Sequence, residues 1–155
     1  MGQWQNALDA ANAVTTAVAS RDDIVGVWED SSQAGLLFNI PNNVGVLGNN
    51  IGVAWSQGGM TSIIPEYVVS FDLYNQFAAD DIRKEAYTME AANNGMGLSF
   101  NAIKKLFGRA GQFNGLVDYK IFRAAEAKLN KAEALFNLGQ ETPARAALDE
   151  VRTKR

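Results

Sequence analysis

The 155-residue chain contains neither cysteine nor histidine. Their absence removes disulfides, thiol catalysis, cysteine or histidine metal ligation, and any nucleophile activated by an imidazole. It leaves the redox compartment open, although a chain without thiols suits life outside the cytosol. No apolar run reaches the roughly 18 residues a membrane-spanning helix needs. No basic stretch followed by an apolar one opens the chain, so no signal peptide is visible. One absence is internal: from Ser31 to Pro65 there is not a single charged residue.

What is present is ordinary for a globular protein, with 47% hydrophobic and 20% charged residues. The length suits one domain, or part of one, with a real core. The net charge of -3 hides a split. Residues 1–103 carry Arg21, Arg83 and Lys84 against eleven acids, whereas residues 104–155 carry eleven bases against six acids. The split reads as two parts of one fold that attract each other. Nucleic-acid binding is not expected, because the bases alternate with acids along helices.

The periodicity predicts a helix over residues 3–19, with Trp4, Leu8, Ala11, Val14 and Val18 on one face. Ile24–Trp28 and Leu36–Ile40 read as short strands. The uncharged segment 31–65 has five glycines between Gly45 and Gly59, with asparagines and apolar residues interleaved, and no helical period. It reads as a long ordered loop or irregular β-structure. A helix is expected from Pro65 to about Phe77, with Tyr67, Val68, Phe71 and Tyr74 inward. Asp80–Lys84 reads as a turn, Ala86–Ala92 as a strand or a helical turn, and Ile103–Phe107 as an edge strand. Loops are expected at 93–97 and 108–115.

Residues 121–153 form the most regular stretch. Phe122, Ala125, Leu129, Ala132 and Phe136 share one helical face, and Ala144, Leu148 and Val151 form a second apolar stripe. Gly139 can close the first helix in the left-handed conformation, while Thr142 and Pro143 suit the N-cap and first position of the next. The pattern predicts a mainly α domain built around a tetratricopeptide-like helical hairpin of the α-α superhelix type, with long ordered loops and a few short strands.

Arg123-Ala-Ala-Glu126, Ala132-Glu133-Ala134, Leu138-Gly139, Ala144 and Leu148…Arg152 resemble the signature helices of the SusD/RagB family. Trp4 to Val18 is similar to that family's W-x-x-A-L-x-A-A-x-x-V helix. Pro65…Leu73-Tyr74…Asp81-Ile82-Arg83 is similar to its P…L-Y…D-x-R segment. The resemblance covers most of the chain and maps to the middle of a family member. The family's N-terminal repeats, its lipid-bearing cysteine and its later helices have no counterpart, so residues 1–155 read as a single SusD-like domain or fragment. The resemblance implies non-catalytic capture of an oligosaccharide or polysaccharide at the bacterial outer membrane, on the cell surface. It also implies delivery to a SusC-like TonB-dependent transporter. Membrane attachment would run only through a lipid anchor not present here.

The uncharged segment is the best ligand candidate. An aromatic ring stacks on the apolar face of a sugar, and amides bond its hydroxyls. Trp55, Asn49, Asn50 and Gln57 combine those groups on one glycine-rich stretch. The bland alternative is that Trp55 plugs the core and the asparagines satisfy turns. Trp28 and Trp4 read as core. Asp80-Asp81 with Arg83 reads as a structural turn. Glu126 and Glu133 lie about 10 Å apart on one helix and read as buried or half-buried ion pairs with Arg123 and Lys131, not as a hydrolase pair. Gly45-x-x-Gly48 lacks the following lysine of a phosphate loop. No cofactor, metal or enzymatic activity is expected. The rival function is a helical-repeat scaffold that binds a protein or peptide, with its exposed aromatics on a helix face.

Overall fold

In the computed structural model, the structure describes residues 2–43, 67–93, 99–109, 112 and 115–155. These divide into two compact units.

The first unit comprises residues 1–21, 34–39 and 120–155. It holds α1 (Trp4–Asn12), the paired strands β1 (Leu36–Ile40) and β4 (Tyr119–Arg123), and the helices α5 (Ala124–Asn137) and α6 (Glu141–Arg152). The hairpin forms as expected. Gly139 sits at φ +75°. Its N–H donates to the Phe136 carbonyl at 3.0 Å, and the Gln140 N–H donates to Leu135 at 2.9 Å. These two bonds make a Schellman motif, which satisfies the last carbonyls of α5. Thr142, however, is not the N-cap. α6 starts earlier, from Gln140, whose side chain makes no capping bond. Pro143 then lies in the first turn, where a missing N–H costs nothing.

α1 is shorter than its pattern suggests and stops at Asn12. The Val14-Thr15-Thr16 run that follows is β-branched and loses rotamer freedom in a helix. Leu8 of α1 packs with Ala134, Leu135, Ala144 and Ala147, with Trp4, Ala132 and Leu138 at the margin. Fully burying one such leucine contributes about 1.5–3 kcal/mol. Four of the five buried residues lie on α5 and α6, and three of those are alanines, so the backbones approach closely. Gly35, at φ +68°, is a second obligatory glycine. A Cβ there would stand 2.7 Å from the backbone nitrogen of Ala19, and the Gly35 carbonyl accepts from Ala124 N–H at 2.8 Å.

α6 buries Ala144 and Val151 of its expected stripe, but α5 buries a different face from the one expected. Ala124, Ala134 and Leu135 are buried on α5, whereas Phe122, Leu129 and Phe136 are exposed. Phe122 lies in β4, where its ring meets Phe38 of β1 at 6.3 Å.

The second unit comprises residues 22–33 and 40–119. Its elements are α2 (Arg21–Trp28), α3 (Phe71–Gln76), α4 (Ile82–Tyr87), β2 (Thr88–Asn93) and β3 (Ser99–Ile103). Residues 24–28 are helical, not a strand. Their buried members, Ile24, Val27 and Trp28, fall at i, i+3 and i+4, and Asp22 and Asp23 favour a helix N-terminus. Ile24, Trp28 and Ala86 form one core cluster with Val25, Ile82, Tyr87 and Leu106 around it. Ala102 and Phe107 form another with Met89 and Phe100. β2 and β3 pair antiparallel from Thr88↔Ile103 to Asn93↔Ser99, with an irregularity between Met89 and Ala92. The edge strand expected at 103–107 thus lies four residues earlier. α3 spans only six residues; Ser70 caps it by accepting from Leu73 N–H at 3.2 Å. Only Tyr74 of its expected inward face is buried, while Tyr67, Val68 and Phe71 are exposed.

Candidate functional site

The four residues proposed from sequence to bind ligand, Asn49, Asn50, Trp55 and Gln57, lie outside the described residues. The positions on either side of that segment are described, and both belong to the second unit.

On the N-terminal side, Asn42 is completely buried. Its N–H donates to Asp118 Oδ1 at 3.0 Å, and its Nδ2 donates to the Val117 carbonyl at 3.3 Å. Arg109 NH2 donates to the Asn42 carbonyl at 3.0 Å and to Asn43 Oδ1 at 3.2 Å. The same guanidinium reaches Asp118 Oδ1 at 3.0 Å and, through Nε, Asp30 Oδ2 at 3.2 Å. Asp30 Oδ2 in turn accepts from Asp118 N–H at 2.9 Å. One arginine and two carboxylates therefore hold the chain at Asn42 and Asn43, within the uncharged segment and ahead of the proposed ligand-binding residues. Asp30 adopts φ +58°, the one described non-glycine residue in the left-handed region, which its short polar side chain tolerates. Sequence reasoning missed this cluster because residues 30, 42, 109 and 118 share no local pattern.

On the C-terminal side, Val69 N–H donates to the Asn101 carbonyl at 2.8 Å in a bridge to β3. Both residues are buried. Tyr67 and Phe71 flank that bridge with their rings exposed, Phe71 to 68%. They are aromatic surface that sequence reasoning had assigned to the core.

Trp28, 6% exposed, is core as expected. It makes an edge contact with Tyr87 at 5.8 Å, and Lys105 Nζ sits 4.1 Å from its ring centroid. Lys84 Nζ lies 4.3 Å from the Tyr74 ring. Burial, aided by the Glu90 carboxylate, holds the Tyr74 phenol above its ordinary value. Asp81 and Arg83 are a structural pair as expected, but they form the N-cap and first turn of α4 and not a separate turn. Asp81 caps α4 by accepting from Arg83 N–H at 2.9 Å and grips the Arg83 side chain through both oxygens, which raises the guanidinium pKa. Lys104 pairs with Glu29 at 3.5 Å. With the Arg109–Asp30 pair, this joins acids of the first part of the chain to bases of the second.

Glu126 and Glu133 are exposed, contrary to the half-buried pairing expected of them. An ion pair does join the hairpin helices, Lys128–Glu150 at 2.6 Å. Among the described residues, no group of three or more acidic side chains could hold a metal ion, and no helix is long and apolar enough to cross a membrane.

No protein-family model and no curated protein sequence matches the chain. Solved structures do. A SusD superfamily protein from Bacteroides thetaiotaomicron superposes on 99% of the chain with a TM-score of 0.75 at 22% identity. Surface glycan-binding protein A from the same organism superposes on 98% with a TM-score of 0.73 at 16% identity. A surface glycan-binding protein A from that organism in complex with laminarihexaose superposes on 95% with a TM-score of 0.64 at 14% identity. The chain spans 38%, 42% and 41% of these proteins' lengths. The fold is thus the SusD-like one expected from the signature helices, a mainly helical architecture with two small antiparallel sheets.

Proposed function

We propose that the chain captures a neutral oligosaccharide at a bacterial cell surface without chemically altering it. The observation that carries this reading is the fold likeness over nearly the whole chain to surface glycan-binding proteins, one of them solved with laminarihexaose. The composition of the 31–65 segment supports it. A charge-free stretch rich in amides and hydroxyls can exchange bonds with sugar hydroxyls without desolvating an ion. In this reading Trp55 stacks on the apolar face of a pyranose ring, while Asn49, Asn50 and Gln57 bond its hydroxyls. Tyr67 and Phe71, exposed just beyond the segment, add aromatic surface for a neighbouring sugar unit. Glycoside hydrolysis would need two carboxylates about 5–10 Å apart across the bond, and the segment contains none. Delivery to a SusC-like TonB-dependent transporter in the outer membrane completes the proposal.

Calorimetry against a polysaccharide panel that includes laminarin tests the reading, with Trp55→Ala as the comparison. Losing one stacking ring is expected to weaken binding by about 1–2 kcal/mol, which is five- to thirtyfold. Undiminished binding by Trp55→Ala would remove the site from this segment. Turnover of the glycan, lost on changing a single carboxylate, would overturn the non-catalytic reading.

A further inference from the structure

The second unit, which contains the proposed ligand-binding residues, carries eleven acids against five bases: Arg83, Lys84, Lys104, Lys105 and Arg109. All five bases are already engaged. Asp81 grips Arg83 at 2.5 Å, and Lys104 pairs with Glu29 at 3.5 Å. Arg109 bridges Asp30 and Asp118 at 3.2 and 3.0 Å. The other two lysines lie against aromatic rings. Lys84 Nζ stands 4.3 Å from the Tyr74 centroid, and Lys105 Nζ stands 4.1 Å from that of Trp28 and 5.2 Å from that of Tyr87. Every one of them but Arg83 is half-buried. The acids are placed the other way: Asp22, Asp72, Asp80, Glu85 and Glu90 are exposed.

We infer that this unit rejects anionic glycans, those bearing uronic-acid carboxylates or sulfate esters, and that Asp72 is a specificity-determining residue. The inference rests on the glycan-capture reading and adds to it an electrostatic selection against one class of sugar. The first reason is pairing. Binding strips water from a sugar carboxylate, and only a cation offsets that cost. Segment 31–65 offers amides and hydroxyls but no charge. Each base of the unit would first have to give up a carboxylate or a ring. The second reason is the field. An excess of six acids sets a negative potential over the unit, which repels an anion before contact and opposes its binding. Asp72 is the exposed acid nearest in the chain to the aromatic surface. It follows Phe71 in α3, and adjacent Cα atoms are about 3.8 Å apart. A carboxylate on a sugar stacked on Phe71 therefore falls within one Debye length of Asp72, about 8 Å at physiological salt. At that separation in water, two like charges weaken binding about twofold.

The test is calorimetry of the 155-residue protein with two forms of one polymer: laminarin, and laminarin whose primary alcohols have been oxidised to carboxylates. Each is titrated at about 0.01 M and about 1 M salt, where the Debye length is about 30 Å and about 3 Å. At low salt the oxidised polymer is expected to bind about tenfold more weakly, and most of that gap closes at high salt. Asp72→Lys reverses one charge and is expected to narrow the low-salt gap about fivefold, with Asp72→Asn narrowing it about twofold. Circular dichroism of both variants is expected to match the parent. Equal binding of the two polymers at low salt would overturn the inference and leave glycan capture standing. A gap that persists at high salt would assign the discrimination to the lost hydroxyls, and a gap unmoved by Asp72→Lys would remove that residue from the role; either overturns the inference. Failure of both polymers to bind would overturn glycan capture itself, and the inference with it.

Discussion

Removing the Arg109 side chain probes the cluster that holds Asn42 and Asn43, the described residues at the entrance to the segment proposed to bind ligand. The guanidinium bonds Asp30 and Asp118 and two oxygens of Asn42 and Asn43. Breaking a buried ion pair by deleting one partner costs about 3–5 kcal/mol, because a desolvated charge is left behind. Two features lower that figure here. Arg109 is itself 29% exposed, and each carboxylate keeps a backbone donor, Asp30 from Asp118 N–H and Asp118 from Asn42 N–H. Arg109→Ala is therefore expected to destabilise the second unit by about 2–3 kcal/mol. Urea unfolding followed through Trp28, which is buried in that unit, reads the effect once Trp4 and Trp55 are replaced by phenylalanine. With a slope of about 1–3 kcal/mol per molar urea, the midpoint falls by about 0.7–3 M. Arg109→Lys keeps the charge but loses the planar fork, so it recovers less than half of the loss. A change below about 0.5 kcal/mol for Arg109→Ala, the size of an ordinary surface substitution, would refute the argument that this arginine holds the segment's entrance.

Gly139→Ala forces a side chain into the left-handed region at φ +75° and is expected to cost about 1–2 kcal/mol in urea titrations monitored by circular dichroism. Gly139→Asn is expected to cost less, and equal stability of the alanine variant and the parent would show that the Schellman turn re-forms without strain. Tyr74 gives a pH prediction. Its folded-state pKa lies above the unfolded 10.0, so the neutral phenol stabilises the fold fully below pH 10.0 and that contribution is lost as pH rises through the folded value. The stability difference between the parent and Tyr74→Phe should accordingly be constant at neutral pH and shift against the parent above pH 10.0. A difference that stays flat across that range would contradict the raised pKa.

The hairpin's existence was legible because its signals are local: an alanine-rich helix, a glycine where only a positive φ will do, and a second apolar stripe. The signature at Arg123–Glu126 and Ala132–Ala134 led to the right architecture for the same reason. Short elements misled. Ile24–Trp28 looks β-branched and strand-like, yet its buried residues keep helical spacing over barely two turns. Residues 67–74 looked like one amphipathic helix. An extended bridge at Val69 and a six-residue α3 leave Tyr67 and Phe71 outside. The Asp30–Arg109–Asp118 cluster had no sequence signal at all, since its members meet only after the chain has folded.

The hairpin's orientation was illegible for a different reason. Periodicity identifies a stripe but not what lies against it. On α5 the exposed Leu129 and Phe136 and the buried Ala124, Ala134 and Leu135 both recur at helical spacing, on different faces. A hydrophobicity count favours the former as core. Close helix packing favours the latter, because Leu8 of α1 packs against Ala134 and Leu135 of α5 and Ala144 and Ala147 of α6. The fold therefore buries Ala134, Ala144 and Ala147 together with Leu8 and Leu135, and leaves Leu129, Phe136 and Leu148 exposed.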